Sequence, residues 1–153
     1  MDETAFPPAD LEAFLQMCAG RWMSLRSRFD LEAAEDQWHT SDRGEVTVNA
    51  ARQGSTWALT VEAADGASSE LLFAADGALT LRSQASERLG HWQFRPDASV
   101  ELEVMEGDTR LLERIWFIKP NLRLRSTTAT AAEGTPVQAR FCSEIRRVSP
   151  PQP

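Results

Sequence analysis

The chain has no tyrosine, two cysteines and two histidines in 153 residues, and its only lysine is Lys119. Each shortage removes a class of chemistry. Schiff-base catalysis would rest on Lys119 alone, and a lysine beside a turn proline is ordinarily solvated. Cys18 and Cys142 do not form a metal-ligand spacing, and His39 and His91 lie near neither each other nor a cysteine cluster. A zinc site or a hydrolase triad is therefore poorly supported, and no metal is expected. No glycine-rich phosphate loop is present. No apolar run approaches the roughly 18 residues of a membrane span, so no membrane insertion is expected. The N-terminus has no basic segment leading into an apolar one, so no export signal is expected. Both thiols should then stay reduced and behave as small buried apolar groups. A net charge of −7 argues against a nucleic-acid partner and against an anionic membrane surface.

What is there reads as one domain, 1–153, with flexible proline-containing ends at 1–9 and 149–153. Asp10 is a plausible N-cap, and Leu11, Phe14, Leu15 and Cys18 follow helical spacing up to Gly20. The period then falls to two. Segment 21–31 reads as a long strand, followed by extended runs near 45–51, 56–63, 69–75, 78–83, 90–95, 99–106, 109–118, 121–129 and 136–147. Turn residues separate them: Asp42-Arg43-Gly44, Gly54-Ser55, Ala64-Asp65-Gly66, Asp76-Gly77, Pro96-Asp97, Gly107-Asp108, Lys119-Pro120 and Glu133-Gly134. One short helix before about ten hairpin-linked strands predicts an antiparallel all-β fold, either a sandwich or a closed up-and-down barrel. A leading helix able to cap one end favours the barrel, and closure also removes exposed edges.

Glu113 to Ser126 carries the clearest chemistry. Arg123 and Arg125 share one strand face because side chains alternate sides. If Phe117 pairs with Asn121 across the Lys119-Pro120 turn, Glu113 faces Arg125 and Ile115 faces Arg123. A slip of one residue would bring Arg114 against Arg125 and send Glu113 to the other side. Arg26 with Arg28, and Glu144 with Arg146, form further same-face pairs on the first and last strands, which become neighbours if a barrel closes. These groups either converge on a cavity suited to a ligand with more than one carboxylate or form a solvated stripe outside. Five tryptophans, Trp57 and Trp116 among them, can wall a cavity for a flat ligand or simply fill the core.

Three segments carry a resemblance. Cys18-Ala19-Gly20-Arg21-Trp22-Met23-Ser24-Leu25-Arg26-Ser27, Glu113-Arg114-Ile115-Trp116-Phe117 with Asn121-Leu122-Arg123-Leu124-Arg125, and Phe141-Cys142-Ser143-Glu144-Ile145-Arg146 resemble the S/U-type phycobiliprotein chromophore lyases. They occur in matching order from one end to the other, whereas residues 32–110 match weakly. The resemblance implies a calycin barrel like those of lipocalins and fatty-acid-binding proteins. It implies an enzyme of the cyanobacterial cytoplasm or plastid stroma, near phycobilisomes. The reaction implied is attachment of a linear tetrapyrrole, phycocyanobilin or phycoerythrobilin, through a thioether to a cysteine of an apo-phycobiliprotein subunit.

The same resemblance implies roles. Glu113 and Glu144 would be the catalytic carboxylates, hydrogen-bonding pyrrole N–H groups and favouring the protonated, more electrophilic bilin. Arg123 and Arg125, with Arg26, would hold the propionates, and Trp57 and Trp116 would be aromatic walls. No cofactor is required, since the bilin is substrate and the acceptor supplies the thiol. Many relatives carry tandem histidines where this chain has Arg28-Phe29-Asp30. That departure keeps open a non-catalytic bilin carrier or chaperone, or one subunit of a lyase heterodimer. A homodimer is the other assembly, and a fatty-acid-binding barrel the remaining alternative.

Overall fold

The computed structural model describes residues 5–33 and 37–148. Helix α1 spans Leu11–Cys18. Ten strands follow: β1 Gly20–Asp30, β2 His39–Gln53, β3 Thr56–Ala63, β4 Ser68–Phe73, β5 Ala78–Ser83, β6 Ser86–Phe94, β7 Val100–Glu106, β8 Thr109–Lys119, β9 Leu122–Thr130 and β10 Pro136–Arg146. Each strand pairs antiparallel with its sequence neighbour, and β10 returns to pair with β1. The result is the expected closed up-and-down barrel. The expected tail at 149–153 and residues 1–4 of the lead-in lie outside the described residues.

Asp10 caps α1 as its side chain accepts from the Ala13 N–H at 2.9 Å. The helix buries Phe14, Leu15, Met17 and Cys18. Phe14 meets Phe117 edge-on at 5.2 Å and Phe94 at 6.4 Å. These contacts place α1 across the end of the barrel where β1 begins and β10 finishes. The inward residues there are apolar: Trp22, Val48, Leu59, Phe73, Leu79, Val100 and Phe117 are buried. Each such side chain contributes roughly 1.5–3 kcal/mol on leaving water. Arg146 fastens the helix to the last strand, donating from Nη2 to Met17 O and from Nε to Asn121 Oδ1, with its guanidinium 4.2 Å from the Trp22 ring centre.

Three details differ from the sequence reading. Asp42-Arg43-Gly44 is not a turn: β2 runs straight through it, pairing Asp42 with Arg26 and Gly44 with Ser24. A Cβ at Gly44 would meet only Arg26, at 2.8 Å from Nη2, the movable end of a long side chain. Strand β6 begins at Ser86 rather than near 90, after a tight two-residue turn at Gln84-Ala85.

The third concerns register at the β8–β9 hairpin. Phe117 pairs with Arg123 and Ile115 with Arg125, two residues away from the expected alignment. The turn has only Pro120 and Asn121 at its corners, and a bulge between Phe117 and Lys119 absorbs the extra residue. Proline presets the first corner's φ, which favours this tighter turn. A shift of two preserves sidedness, so Glu113, Ile115, Arg123 and Arg125 still share the inner face.

Candidate functional site

Turns between β1 and β2, β3 and β4, β5 and β6, β7 and β8, and β9 and β10 ring the end of the barrel opposite α1. On β1, β8, β9 and β10 the inward positions change toward this end from apolar groups to charged ones. Arg125 on β9 and Glu113 on β8 are half-buried, with Nη1 of the arginine 3.7 Å from Oε1 of the glutamate. Thr127, two residues beyond Arg125, donates from Oγ1 to Glu113 Oε2 at 2.9 Å. Glu113 is thus aimed by a hydroxyl and only loosely engaged by its cation.

Beneath them lies a buried ion pair. Glu144 has no exposed side-chain surface, and Arg123 has 6%. Arg123 Nε and Nη2 donate to Glu144 Oε1 at 2.9 and 2.7 Å. Arg125 Nε is 3.0 Å from the same oxygen, close enough for an ion pair but without hydrogen-bond alignment. Glu144 Oε2 and Ser24 Oγ, on directly paired residues, are buried with no hydrogen-bond partner. Burial alone would raise the Glu144 carboxyl pKa, but Arg123 and Arg125 outweigh it and hold the group below its usual range. Burial likewise works against the charge on Arg125, and Glu113 and Glu144 more than compensate, keeping it a fixed cation.

A cavity of about 290 Å³ opens above this floor. Val61, Leu71, Leu81, Leu102, Val104 and Leu111 form its apolar wall, and Glu113, Arg125, Thr127, Arg140 and Arg88 its polar one. Cys142 lies beside it, with Sγ 3.7 Å from Arg125 Nη2. Burial pushes the Cys142 thiol up, and does the same to Cys18, so neither is poised as a thiolate.

The residues singled out in the sequence therefore separate. Glu113 and Arg125 meet on the cavity wall. Arg123 and Glu144 form the floor under it and do not line it. Arg26 lies outside it, in a recess at the mouth, where its Nε donates to Asp42 Oδ1 at 2.9 Å. Trp57 points inward but packs against the apolar core at the helix end, opposite Phe73. Trp116 faces outward: its neighbours Ile115 and Phe117 take the inner positions, and Arg114 lies over its ring at 5.9 Å. The cavity is walled by aliphatic groups, not by tryptophan. Thr127 and Arg140 were missed, although both continue the period-two series already read from Arg123 and Glu144. Arg88 gave no comparable signal.

Residues 76–147 match the family model described as CpeS-like protein. Chromophore lyase CpcS/CpeS 1 of Paulinella chromatophora is 41% identical over 149 residues, covering 95% of this chain and 93% of that one. That match runs through the middle segment as well as the three motifs. Chromophore lyase CpcS/CpeS 1 of a Synechocystis strain is 37% identical over 71 residues, or 46% of this chain and 38% of the other. Among solved structures, the S-type phycobiliprotein lyase CpeS of Guillardia theta superposes with a TM-score of 0.70 at 21% identity, covering 92% of this chain and 94% of that one. The fold is therefore shared with that lyase, and the chain belongs to the CpcS/CpeS family of chromophore lyases.

Proposed function

We propose that this protein is a phycobiliprotein lyase that binds phycocyanobilin or phycoerythrobilin at the open end of its barrel and passes it to a cysteine of an apo-phycobiliprotein subunit. The observation that carries the reading is the pairing of Glu113 with Arg125 on the polar wall of the cavity, facing an aliphatic one. Arg125 is a permanent cation suited to a propionate. Glu113 is a carboxylate oriented by Thr127 and only 3.7 Å from Arg125, so a pyrrole N–H can take up its free acceptor capacity.

The reaction is a net addition of the acceptor's S–H across the ethylidene double bond of ring A. The C–S bond forms at the ethylidene carbon, the π bond breaks, and a proton ends on the adjacent ring carbon. A carboxylate beside the pyrrole nitrogens stabilises the protonated, electrophilic bilin before attack. Confinement in the mouth presents one face to the incoming thiolate. Cys18 and Cys142 take no part. A fatty acid is a poorer fit, since it needs one cation in an apolar tunnel.

The setting proposed is the cyanobacterial cytoplasm or plastid stroma, and no helix among the described residues is long and apolar enough to cross a membrane. A homodimer, or a heterodimer with a paralogue, belongs to the same proposal. Leu25, Phe141 and Ile145, exposed on the outer faces of β1 and β10, are the surface it would use, and sedimentation of Leu25→Asp against wild type tests this.

The functional test mixes purified protein with each bilin, follows visible absorption, then adds apo-subunits and looks for covalent fluorescent acceptor on a denaturing gel. A spectral shift followed by labelling is expected. A shift with no labelling of any acceptor would instead indicate a carrier or an incomplete heterodimer, and no shift would remove the bilin assignment.

A further inference from the structure

Arg28 on β1 and Arg140 on β10 are direct cross-strand partners. Their positions continue the inward series of Trp22 and Ser24 on one strand and Glu144 and Cys142 on the other, so both guanidiniums lie at the mouth. Like charges placed directly opposite one another on paired strands destabilise the sheet. Among the described residues, no carboxylate lies within 4.0 Å of either group. Gln138 accepts from Arg28 Nη2 and Nε at 2.8 and 3.1 Å once its amide is oriented to satisfy both residues. That contact fixes Arg28 without neutralising it. Arg26, the third arginine nearby, is already engaged by Asp42.

These groups line a recess of about 350 Å³ with Thr40 and Asp42. Arg140 also lines the inner cavity, so recess and cavity adjoin through one side chain. At about 290 Å³ the inner cavity falls at the small end of the roughly 300–1,000 Å³ usual for ligand pockets. A linear tetrapyrrole would then have to extend outward through the mouth. One of its propionates can then lie at the mouth, in the recess lined by Arg28 and Arg140.

We infer that Arg28 and Arg140 form a second carboxylate-binding site at the mouth, which takes one propionate of the bilin while Arg125 takes the other. The inference rests on the bilin-binding reading above. In a chain of net charge −7, a facing pair of cations on the inner side of the sheet is a local cost that a bound carboxylate would relieve. The planar guanidiniums also match a carboxylate's two oxygens.

The test titrates the bilin diacid and its dimethyl ester into wild type, Arg28→Gln, Arg140→Gln and the double variant, read by visible absorption. Wild type should prefer the diacid. The double variant should lose about 10- to 100-fold in diacid affinity while ester affinity stays unchanged. The unliganded double variant should also melt up to about 3 °C higher, since the repulsion is gone. That second readout separates loss of the site from loss of the fold. Unchanged diacid affinity in a double variant whose wild type binds well would overturn the mouth site and leave the bilin reading standing. Failure of wild type to bind the diacid at all would overturn both.

Discussion

Arg123 and Glu144 face each other across the β9–β10 pairing, and both guanidinium contacts fall on the single oxygen Oε1. Arg123 also lies over the indole of Trp22, 5.0 Å from the ring centre. The arginine is thereby committed to the protein, and of the two β9 arginines it is Arg125 that faces the cavity.

Arg123→Ala should therefore act on stability. Removing one member of a buried pair leaves a charge without its partner and costs about 3–5 kcal/mol. Arg125 remains to offset part of that here, so the lower figure is expected. Urea denaturation of Arg123→Ala against Arg125→Ala checks this. The idea fails if the two variants lose stability equally.

Glu113→Gln should leave bilin affinity within a few-fold of wild type and slow transfer to the acceptor by about 100-fold, the lower range for loss of a positioned carboxylate. Thr127→Val should show a milder version of the same split, because it frees Glu113 without removing it. Stopped-flow binding followed by single-turnover transfer separates the two steps. Lost affinity with unchanged transfer of the bound bilin would assign Glu113 to binding alone.

Stability should fall on acidification through Glu144. Its folded pKa lies below the ordinary 4.5, so its ion pairs stabilise the fold fully above about pH 4.5. That contribution is lost as pH drops through the lower, folded value. Asp97 is held at about 2 by hydrogen bonds from Ser99 and by Arg114, and adds a further step below 3.8. Urea midpoints at pH 7, 5 and 3 should decline most across the last interval. Glu144→Gln, though less stable at pH 7, should show a flatter profile.

Gly90→Ala should be among the most damaging small substitutions. A Cβ at Gly90 would stand 1.9 Å from the Glu103 carbonyl oxygen, so the β6–β7 backbones would have to separate. Overpacking of this kind costs about 1–3 kcal/mol, and a backbone obstacle favours the upper end. A thermal melt of the purified variant reads it directly, and a wild-type melting temperature would contradict the close approach.

Much of this architecture can be read from the chain, and the parts that cannot have physical causes. The bounds of β3 and β5 follow from Gly54-Ser55, Ala64-Asp65-Gly66 and Asp76-Gly77 because each turn interrupts a period-two run. The shared face of Glu113, Arg123 and Arg125 is legible for the same reason. Their depth is not, since the burial of Arg123 depends on Glu144, 21 residues further along. The register at Pro120 depended on a bulge that no local residue announces. Trp116 misled because the strand is apolar on both faces: Ile115, Trp116 and Phe117 give alternation nothing to separate. Asp42-Arg43-Gly44 looked like a turn because Asp and Gly favour turns locally, whereas pairing with β1 carries the strand straight through.

The barrel closes where β1 meets β10, with Trp22 set against Arg146 and the helix carbonyl of Met17 bound by the same arginine. That seam joins the earliest strand to the latest. During synthesis, nine strands can be in place while β1 and β9 still present unpaired backbone and the outward Leu25 stands at an open margin. Contacts of such long sequence separation form slowly, in the millisecond-to-second range common to all-β domains. The charged floor is assembled by the same event, since Glu144 arrives with the last strand. A nascent chain cannot hold Arg123 in its buried pair before it is a barrel, so competence and closure come together.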